Sequence, residues 1–199
     1  MRIGKWFAAV VLGSVLVAPI AKADETVTVP SASASGLNLQ HKQDITINPL
    51  SMIFGLFSAE YERRITPSGS WAVGVSHWGL SVASYKFSSN GVNGAYRFWP
   101  GAHALEGFYI GPIAAIDIAK ATVTEPITGQ TGSASASLVS VGGLVGYQWV
   151  WDGGFLLDLA IGVQDIFGTL EGKAGGTTVK VDVTGVGFAG RFALGYAWH

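Results

Sequence analysis

The last segment of the chain, residues 186–199, alternates between two kinds of side chain. Every second residue is large and apolar with one exception, in the series Val186, Phe188, Gly190, Phe192, Leu194, Tyr196 and Trp198. The residues between them are small or polar, in the series Gly187, Ala189, Arg191, Ala193, Gly195, Ala197 and His199. A period of two residues predicts a β-strand with two chemically different faces. An oily face that ends in aromatic residues, opposite a small face with one Arg, suggests a barrel in a membrane.

The composition favours an all-β membrane protein. Of the 199 residues, 49% are hydrophobic and only 13% are charged, whereas ordinary soluble domains carry about 25% charged residues. The 28 glycines argue against a helical protein. Because the chain has no cysteine, it can form neither a disulfide framework nor a thiolate metal site, and it cannot carry a lipid anchor on Cys.

The first 23 residues have the features of a secretory signal peptide. Arg2 and Lys5 form a basic region, residues 6–20 are apolar, and Ala21-Lys22-Ala23 is a small-x-small cleavage site. A membrane anchor is the alternative, although the apolar run is short for a span. Cleavage after Ala23 leaves 9 basic and 13 acidic residues, a balance that excludes an electrostatic footprint for nucleic acid. Residues 24–43 show no apolar periodicity and are predicted to form a flexible periplasmic tail.

The rest of the chain, residues 44–199, is predicted to form eight strands separated by turns. The predicted strands are residues 45–54, 57–65, 71–87, 92–99, 108–123, 136–151, a seventh from residue 155, and an eighth that reaches Trp198. We expect a bulge at Asn48-Pro49 and another where the alternation slips at His77-Trp78-Gly79. The residue types at Ser88-Ser89-Asn90-Gly91 predict a turn, and the two longest connections are predicted near residues 124–135 and 168–178.

The two faces of these strands predict on which side lipid lies. A soluble barrel would place its apolar faces inside and its charges outside. Here the apolar faces are bulky, whereas the opposite faces are Gly, Ala and Ser with a few ionised groups, which suit the narrow lumen of an eight-stranded barrel. Backbone polar groups in lipid must all be paired, so spanning strands must close into a ring. The sequence therefore predicts an eight-stranded antiparallel up-and-down transmembrane β-barrel.

Seven ionisable residues fall on the predicted lumen face. They are Glu60, Glu62, Arg64, Arg97, Asp117, Asp158 and Arg191. One interpretation is a binding or catalytic cluster. The other, which we favour, is a salt-bridge network that fills the core, because charges away from water must be paired. This second interpretation predicts a closed lumen and no wide pore.

Aromatic residues cluster beside the turns expected on the periplasmic side. The predicted periplasmic girdle consists of Trp71, Trp99, Trp149, Trp151, Tyr196 and Trp198. Aromatic residues collect at membrane–water interfaces because their rings are amphipathic. The two longest connections then fall on the opposite, extracellular side.

These features resemble the small outer-membrane β-barrel proteins of Gram-negative bacteria, in the size class of OmpX and the OmpA membrane domain. Asn48-Pro49-Leu50, the later Glu60-Tyr61-Glu62 and Gly146-Tyr147 are similar to a family of uncharacterised outer-membrane barrel proteins. The alternating C-terminal strand also resembles the signal read by the outer-membrane assembly machinery. The resemblance covers residues 44–199 and implies an architecture, without implying an activity.

The sequence assigns no catalytic, cofactor or metal residue. His77 lies near Ser76, Ser81 and Ser84, which would suit a lipid A-modifying enzyme if a base and a hydroxyl were in hydrogen-bond reach. We instead expect an outer-membrane protein with a structural or surface-interaction role, with the enzyme and a small-solute channel as alternatives. Its expected partners are outer-membrane lipid, lipopolysaccharide and the assembly machinery, and we expect a monomer.

Overall fold

The computed structural model describes residues 41–101, 103–124, 131–174 and 177–199. The predicted signal peptide, residues 1–23, and nearly all of the predicted tail, residues 24–43, lie outside the described residues. The eight strands are β1 (Gln43–Ile47), β2 (Leu56–Thr66), β3 (Gly69–Val82), β4 (Tyr85–Phe98), β5 (Gly107–Thr124), β6 (Thr131–Val150), β7 (Phe155–Ala174) and β8 (Thr177–Trp198). One short helix, α1 (Pro49–Ile53), connects β1 to β2.

The eight strands form a closed antiparallel barrel in which each strand pairs with its neighbours in the chain, and β1 closes the ring against β8. The predicted all-β, eight-stranded up-and-down architecture is confirmed. We call the end with the β2–β3, β4–β5 and β6–β7 connections and Trp198 the lower end, and the end with α1 the upper end. Among the described residues, no helix is both long enough and apolar enough to cross a membrane.

The predicted first strand is too long, because the chain turns into α1 after Ile47. The Asn48 side chain caps this helix by accepting a hydrogen bond of 3.0 Å from the Ser51 amide. Pro49 occupies the first turn, where its ring sets φ for a helix and no backbone N–H is needed. The Asn-Pro pair that predicted a bulge is therefore a helix start.

The predicted turn at residues 88–91 and the predicted bulge at residues 77–79 are both wrong. The β3–β4 ladder is continuous from Gly69↔Phe98 to Val82↔Tyr85, so Asn90 and Gly91 lie inside β4. The alternation only seemed to slip because the bulky Trp78 faces inward and packs on Phe87 at 4.6 Å between ring centroids. Packing explains the glycine at position 91, because a Cβ there would clash with the Asp117 carboxylate.

The upper connections are shorter than predicted. Strand β6 begins at Thr131, β7 continues to Ala174 and β8 begins at Thr177. Half of the loop predicted at residues 124–135 and nearly all of the loop predicted at residues 168–178 are therefore strand. These segments carry few large apolar residues and many Ser, Thr, Lys and Gly residues. The backbone ladder with neighbouring strands holds them extended, although their composition resembles that of a loop.

The interior is small and densely packed at its lower end. Trp99, Tyr109, Leu144 and Ala160 form the buried apolar cluster there. Leu105, in the β4–β5 connection, is only 1% exposed, and Ala104 in the same connection donates a backbone hydrogen bond to Pro67. This connection therefore folds into the lower mouth of the barrel and closes it.

The position of the β3–β4 turn can be tested with two glycine substitutions. Ala83 has a φ of 50°, a left-handed conformation that costs a residue with a Cβ about 1 kcal/mol. Ala83→Gly should therefore leave the free energy of unfolding unchanged or raise it, in urea titrations of the folded protein in detergent. Asn90→Gly should lower it by about 0.5–1 kcal/mol, because glycine weakens the interior of a strand. A lower free energy of unfolding for Ala83→Gly than for Asn90→Gly would instead support the turn predicted at residues 88–91.

Candidate functional site: the buried charge network of the lumen

Arg97 is the centre of the charged cluster inside the barrel. It projects from β4, is 2% exposed, and forms ion pairs with Glu60 and Glu62 of β2. Residues two apart on a strand share a face, so both glutamates point to the same guanidinium group. Arg97 also lies over the Tyr109 ring, 4.9 Å from its centroid, which adds a cation–π contact to the two ion pairs.

Arg191 joins the other side of the barrel to this cluster. Its side chain forms ion pairs with Asp158 on β7 and, at 3.0 Å, with Glu60. It also donates a hydrogen bond of 2.8 Å to the Thr46 hydroxyl on β1. The network therefore connects β1, β2, β4, β7 and β8 across the lumen, including the closure between β1 and β8.

Neutral donors complete the hydrogen bonding of the carboxylates. Tyr109 donates to Asp158 at 2.8 Å, and Asn93 donates to Glu60 at 2.9 Å. Ser70 donates to Glu62 and accepts a hydrogen bond of 2.8 Å from the indole of Trp99. Satisfying the remaining lone pairs in this way is what makes buried carboxylates tolerable.

Asp44 and Gln148 belong to the same interior, although the sequence interpretation did not include them. Gln148 is fully buried and donates to Asp44 at 3.0 Å and to the Leu105 carbonyl at 2.9 Å. Asp44 is 1% exposed. The alternation of Asp44 and Thr46 with Ile45 and Ile47 was a signal for an inward Asp44. Gln148 alternates with Tyr147 and Trp149 in the same way.

The ion pairs join five of the seven predicted lumen residues: Glu60, Glu62, Arg97, Asp158 and Arg191. Arg64 lies on the same face of β2, nearer the lower end, opposite Ser70 in the ladder. Asp117 is half-buried on β5, beside Gly91 and Ser76 and above the ion pairs. With Asp44 included, the central cluster has four carboxylates and two guanidinium groups, so acids outnumber bases.

Five of the six predicted girdle residues lie on the outer face near the lower end: Trp71, Trp149, Trp151, Tyr196 and Trp198. Trp99 is the exception and a correction, because it is 0% exposed and packs inside on Tyr109. The alternation of β4 explains this: Tyr96 and Phe98 face outward, so the next residue faces inward. Tyr61 adds to the outer aromatic cluster through its contact with Trp71 at 5.7 Å.

The geometry around His77 gives no support to a nucleophile–base pair. His77 faces outward, and its Nδ1 lies 2.8 Å from the Asn90 side-chain oxygen. Ser76 faces the lumen, on the opposite side of the strand. Ser81 is four residues farther along β3, about 13 Å away at the rise of a strand. Within the described ranges, no group of three or more His, Asp or Glu residues is placed to hold a metal ion.

The C-terminal residue has a defined contact at the lower end. The His199 ring stacks on His41, with centroids 5.1 Å apart and planes 7° from parallel. The backbone amide of Lys42 also donates to the Trp198 carbonyl at 2.8 Å. Burial lowers the pKa of His41 below its usual value, and the His199 ring lowers it further, against a smaller opposing effect of Glu106.

No family model, curated protein or solved structure matches the chain. Function must therefore be inferred from the barrel itself. Its two distinctive properties are an interior that holds paired charges and an exterior that exposes large apolar side chains.

Removing Arg97 should destabilise the barrel strongly. Arg97→Met leaves Glu60 and Glu62 without their shared partner, and breaking a buried ion pair typically costs about 3–5 kcal/mol. Arg63→Met is the matched control, because Arg63 is the exposed residue next to Glu62 and a surface charge contributes about 0–1 kcal/mol. Urea unfolding followed by tryptophan fluorescence measures both. Equal losses would contradict a network that supports the fold.

The stacked histidines predict a pH effect. A lowered pKa of His41 in the folded state means that the folded state favours the neutral ring. The resulting stability is present above the unfolded pKa of about 6.5 and is lost as pH falls through the folded value. His199→Ala should raise the pKa of His41 in an NMR titration, and an unchanged pKa would show that the stack has no electrostatic effect.

Proposed function

We propose that this chain is an integral outer-membrane β-barrel protein with a structural or surface-interaction role and no assigned catalysis. The observation that carries the proposal is the polarity of the closed barrel. Arg97 and Asp158 are fully buried inside, whereas Ile161, Val186 and Phe188 are 71%, 75% and 79% exposed outside. In water this arrangement is unfavourable on both faces, but in a bilayer the outer face contacts hydrocarbon.

The apolar outer residues form a band of the height expected for a membrane. At the lower end, the band is bordered by the aromatic cluster. At the upper end, the first polar outward residues are His77, Asn90, Lys120, Ser137, Asp165 and Thr184. Between the borders, β6 contributes residues 139–149 and β7 contributes residues 155–163, close to the roughly 9–11 residues that a tilted strand needs to cross the apolar core.

The part of the barrel above this band supports a role at the surface. Strands β6–β8 continue well above the band, and the outer face of this extension is polar apart from Phe167. There, Glu171 forms exposed ion pairs with Lys173 at 3.0 Å and Lys180 at 3.1 Å. Hydrogen bonds from these two lysines lower the pKa of Glu171. We infer that this extension faces the cell exterior and that the aromatic lower end faces the periplasm.

The two alternative functions receive less support. A small-solute channel requires an open path, but Trp99, Leu105 and Leu156 are at most 1% exposed and fill the lower lumen. A lipid A-modifying enzyme requires an assembled nucleophile and base, and His77 pairs with Asn90. We retain outer-membrane lipid and lipopolysaccharide as the surroundings of the barrel. The assembly machinery would read strand β8, and the protein would act as a monomer.

Two arginine substitutions at different heights test the membrane proposal. Ile161→Arg places a charge in the middle of the apolar band, where it should cost about 2–4 kcal/mol in a bilayer. Ser135→Arg places the same charge on the outer face above the band, where Ser135 is already exposed and lies opposite Lys120 in the ladder. Folding into vesicles, read from the heat-dependent gel shift of a folded barrel, should fall only for Ile161→Arg.

The same pair of variants can contradict the proposal. A water-soluble barrel would accept an arginine at either exposed position, because surface substitutions usually change stability by less than about 0.5 kcal/mol. Equal folding of the two variants, with most of the protein remaining in the soluble fraction, would therefore exclude a membrane-spanning barrel.

A further inference from the structure

The wall of the barrel is interrupted beside β1. Strand β1 ends at Ile47, which is paired with Leu194 on one side and Ala59 on the other. Strand β8 continues upward from Leu194 to Thr177, and no described strand pairs with that part of its edge on the β1 side. Helix α1 contacts both β2 and β8, but it spans only five residues. We call the interval above Ile47, between β8 and β2, the notch.

A cavity of about 420 Å³ lies behind the notch, within the range of small-molecule sites in proteins. Ser76, Asn93 and Gln164 contribute polar groups to its inner wall, together with Glu60 and Arg191 of the charge network, and apolar residues such as Ala95 and Ile113 lie between them. Its edge at the notch is apolar and is formed by Ile47, Leu56, Phe188 and Phe192. The cavity therefore presents several polar groups inside and has an apolar mouth.

The notch opens within the apolar band. The unpaired edge of β8 below Thr184 includes Val186 and Phe188, which are among the most exposed apolar residues of the described chain. Phe188 also lines an apolar groove of about 340 Å³ on the outer face, with Ile110, Val145, Ile161 and Val163. A continuous apolar path thus runs from the outer face to the mouth of the cavity.

From this geometry we infer that the cavity binds the uncharged head group of a single-chain amphiphile, whose hydrocarbon chain leaves through the notch into the apolar band. This inference rests on the proposed membrane location. A head group with hydroxyl donors and acceptors would pair with Asn93, Gln164 and the backbone edge of β8 that no described strand pairs, because backbone polar groups in hydrocarbon need partners. The chain would contact Phe188 and Phe192.

The charge of the cavity excludes an anionic head group. Glu60 and Asp158 already engage the Arg191 guanidinium, and Asp44, Glu62 and Asp117 add further negative charge to the lumen. Arg97, the other cationic residue that lines the cavity, is likewise paired with Glu60 and Glu62. A phosphate or carboxylate placed there would have to compete with these carboxylates for both guanidinium groups, and like-charge contacts in a desolvated site weaken binding strongly. The preferred ligand is therefore a neutral lipid of the monoacylglycerol or alkyl glycoside type.

The test uses two probes with the same chain, 1-lauroylglycerol and 1-lauroylglycerol 3-phosphate. The full-length mature protein is folded into phosphatidylcholine nanodiscs, and each probe is titrated while the side-chain signals of Asn93, Gln164 and Arg191 are followed by NMR. We expect saturable shifts of these signals with 1-lauroylglycerol and an affinity for the phosphate at least about tenfold weaker. Equal or tighter binding of the phosphate, or no shift with either probe, would overturn the inference.

Variants separate this inference from the proposed membrane location. Ala189→Phe fills the cavity, which Ala189 lines, and should abolish the shifts. Val141→Phe adds a phenyl ring on the outer face, at a residue 51% exposed, and should leave them unchanged. A wild-type protein that inserts into the nanodisc but shows no shift refutes only the ligand site. Failure to insert refutes the membrane proposal itself.

Discussion

The fold depends on one constraint: the charges that β2, β4, β7 and β8 turn inward must meet each other. Arg97 and Arg191 both form an ion pair with Glu60. Arg97 also pairs with Glu62, and Arg191 also pairs with Asp158. Each of these ion pairs joins side chains from two different strands. Only a closed ring of small radius brings them together, so the network and the closure of the barrel support each other. Once the charges occupy the interior, the large apolar residues can only be on the outside.

The alternation of residues was enough to predict the architecture and most of the faces. Strands β6, β7 and β8 alternate over many residues, so their phase could be assigned without knowing their partners. The same rule assigned all seven charged residues to the lumen face, and five of them are joined by ion pairs. The same rule places Trp99 inside the barrel, because Tyr96 and Phe98 face outward. Trp99 was predicted in the girdle only because it lies beside a turn.

The errors arise where tertiary contacts override local composition. Asn90-Gly91 has the residue types of a turn, but Asp117 of the adjacent strand fills the space that a larger side chain would need. The inward Trp78 and Phe87 satisfy each other across the lumen side of the β3–β4 hairpin, which no local pattern indicates. Asn48-Pro49 was recognised as an interruption, but a bulge and a helix cap share these residue types. The cavity behind the notch follows from the length of β1, which the sequence did not predict.

The central claim is that hydrocarbon surrounds the outer face, and photolabelling tests it most directly. The protein is folded into vesicles that contain phosphatidylcholine with a diazirine in mid-chain, irradiated, and digested for mass spectrometry. A hydrocarbon environment predicts adducts on outward residues of the band, such as Val145 and Ile161, and none on Ser135 or Lys180, which are exposed on the same outer face but lie above the band. Equal labelling of all four positions, or no labelling at any of them, would contradict the claim that hydrocarbon surrounds the outer face.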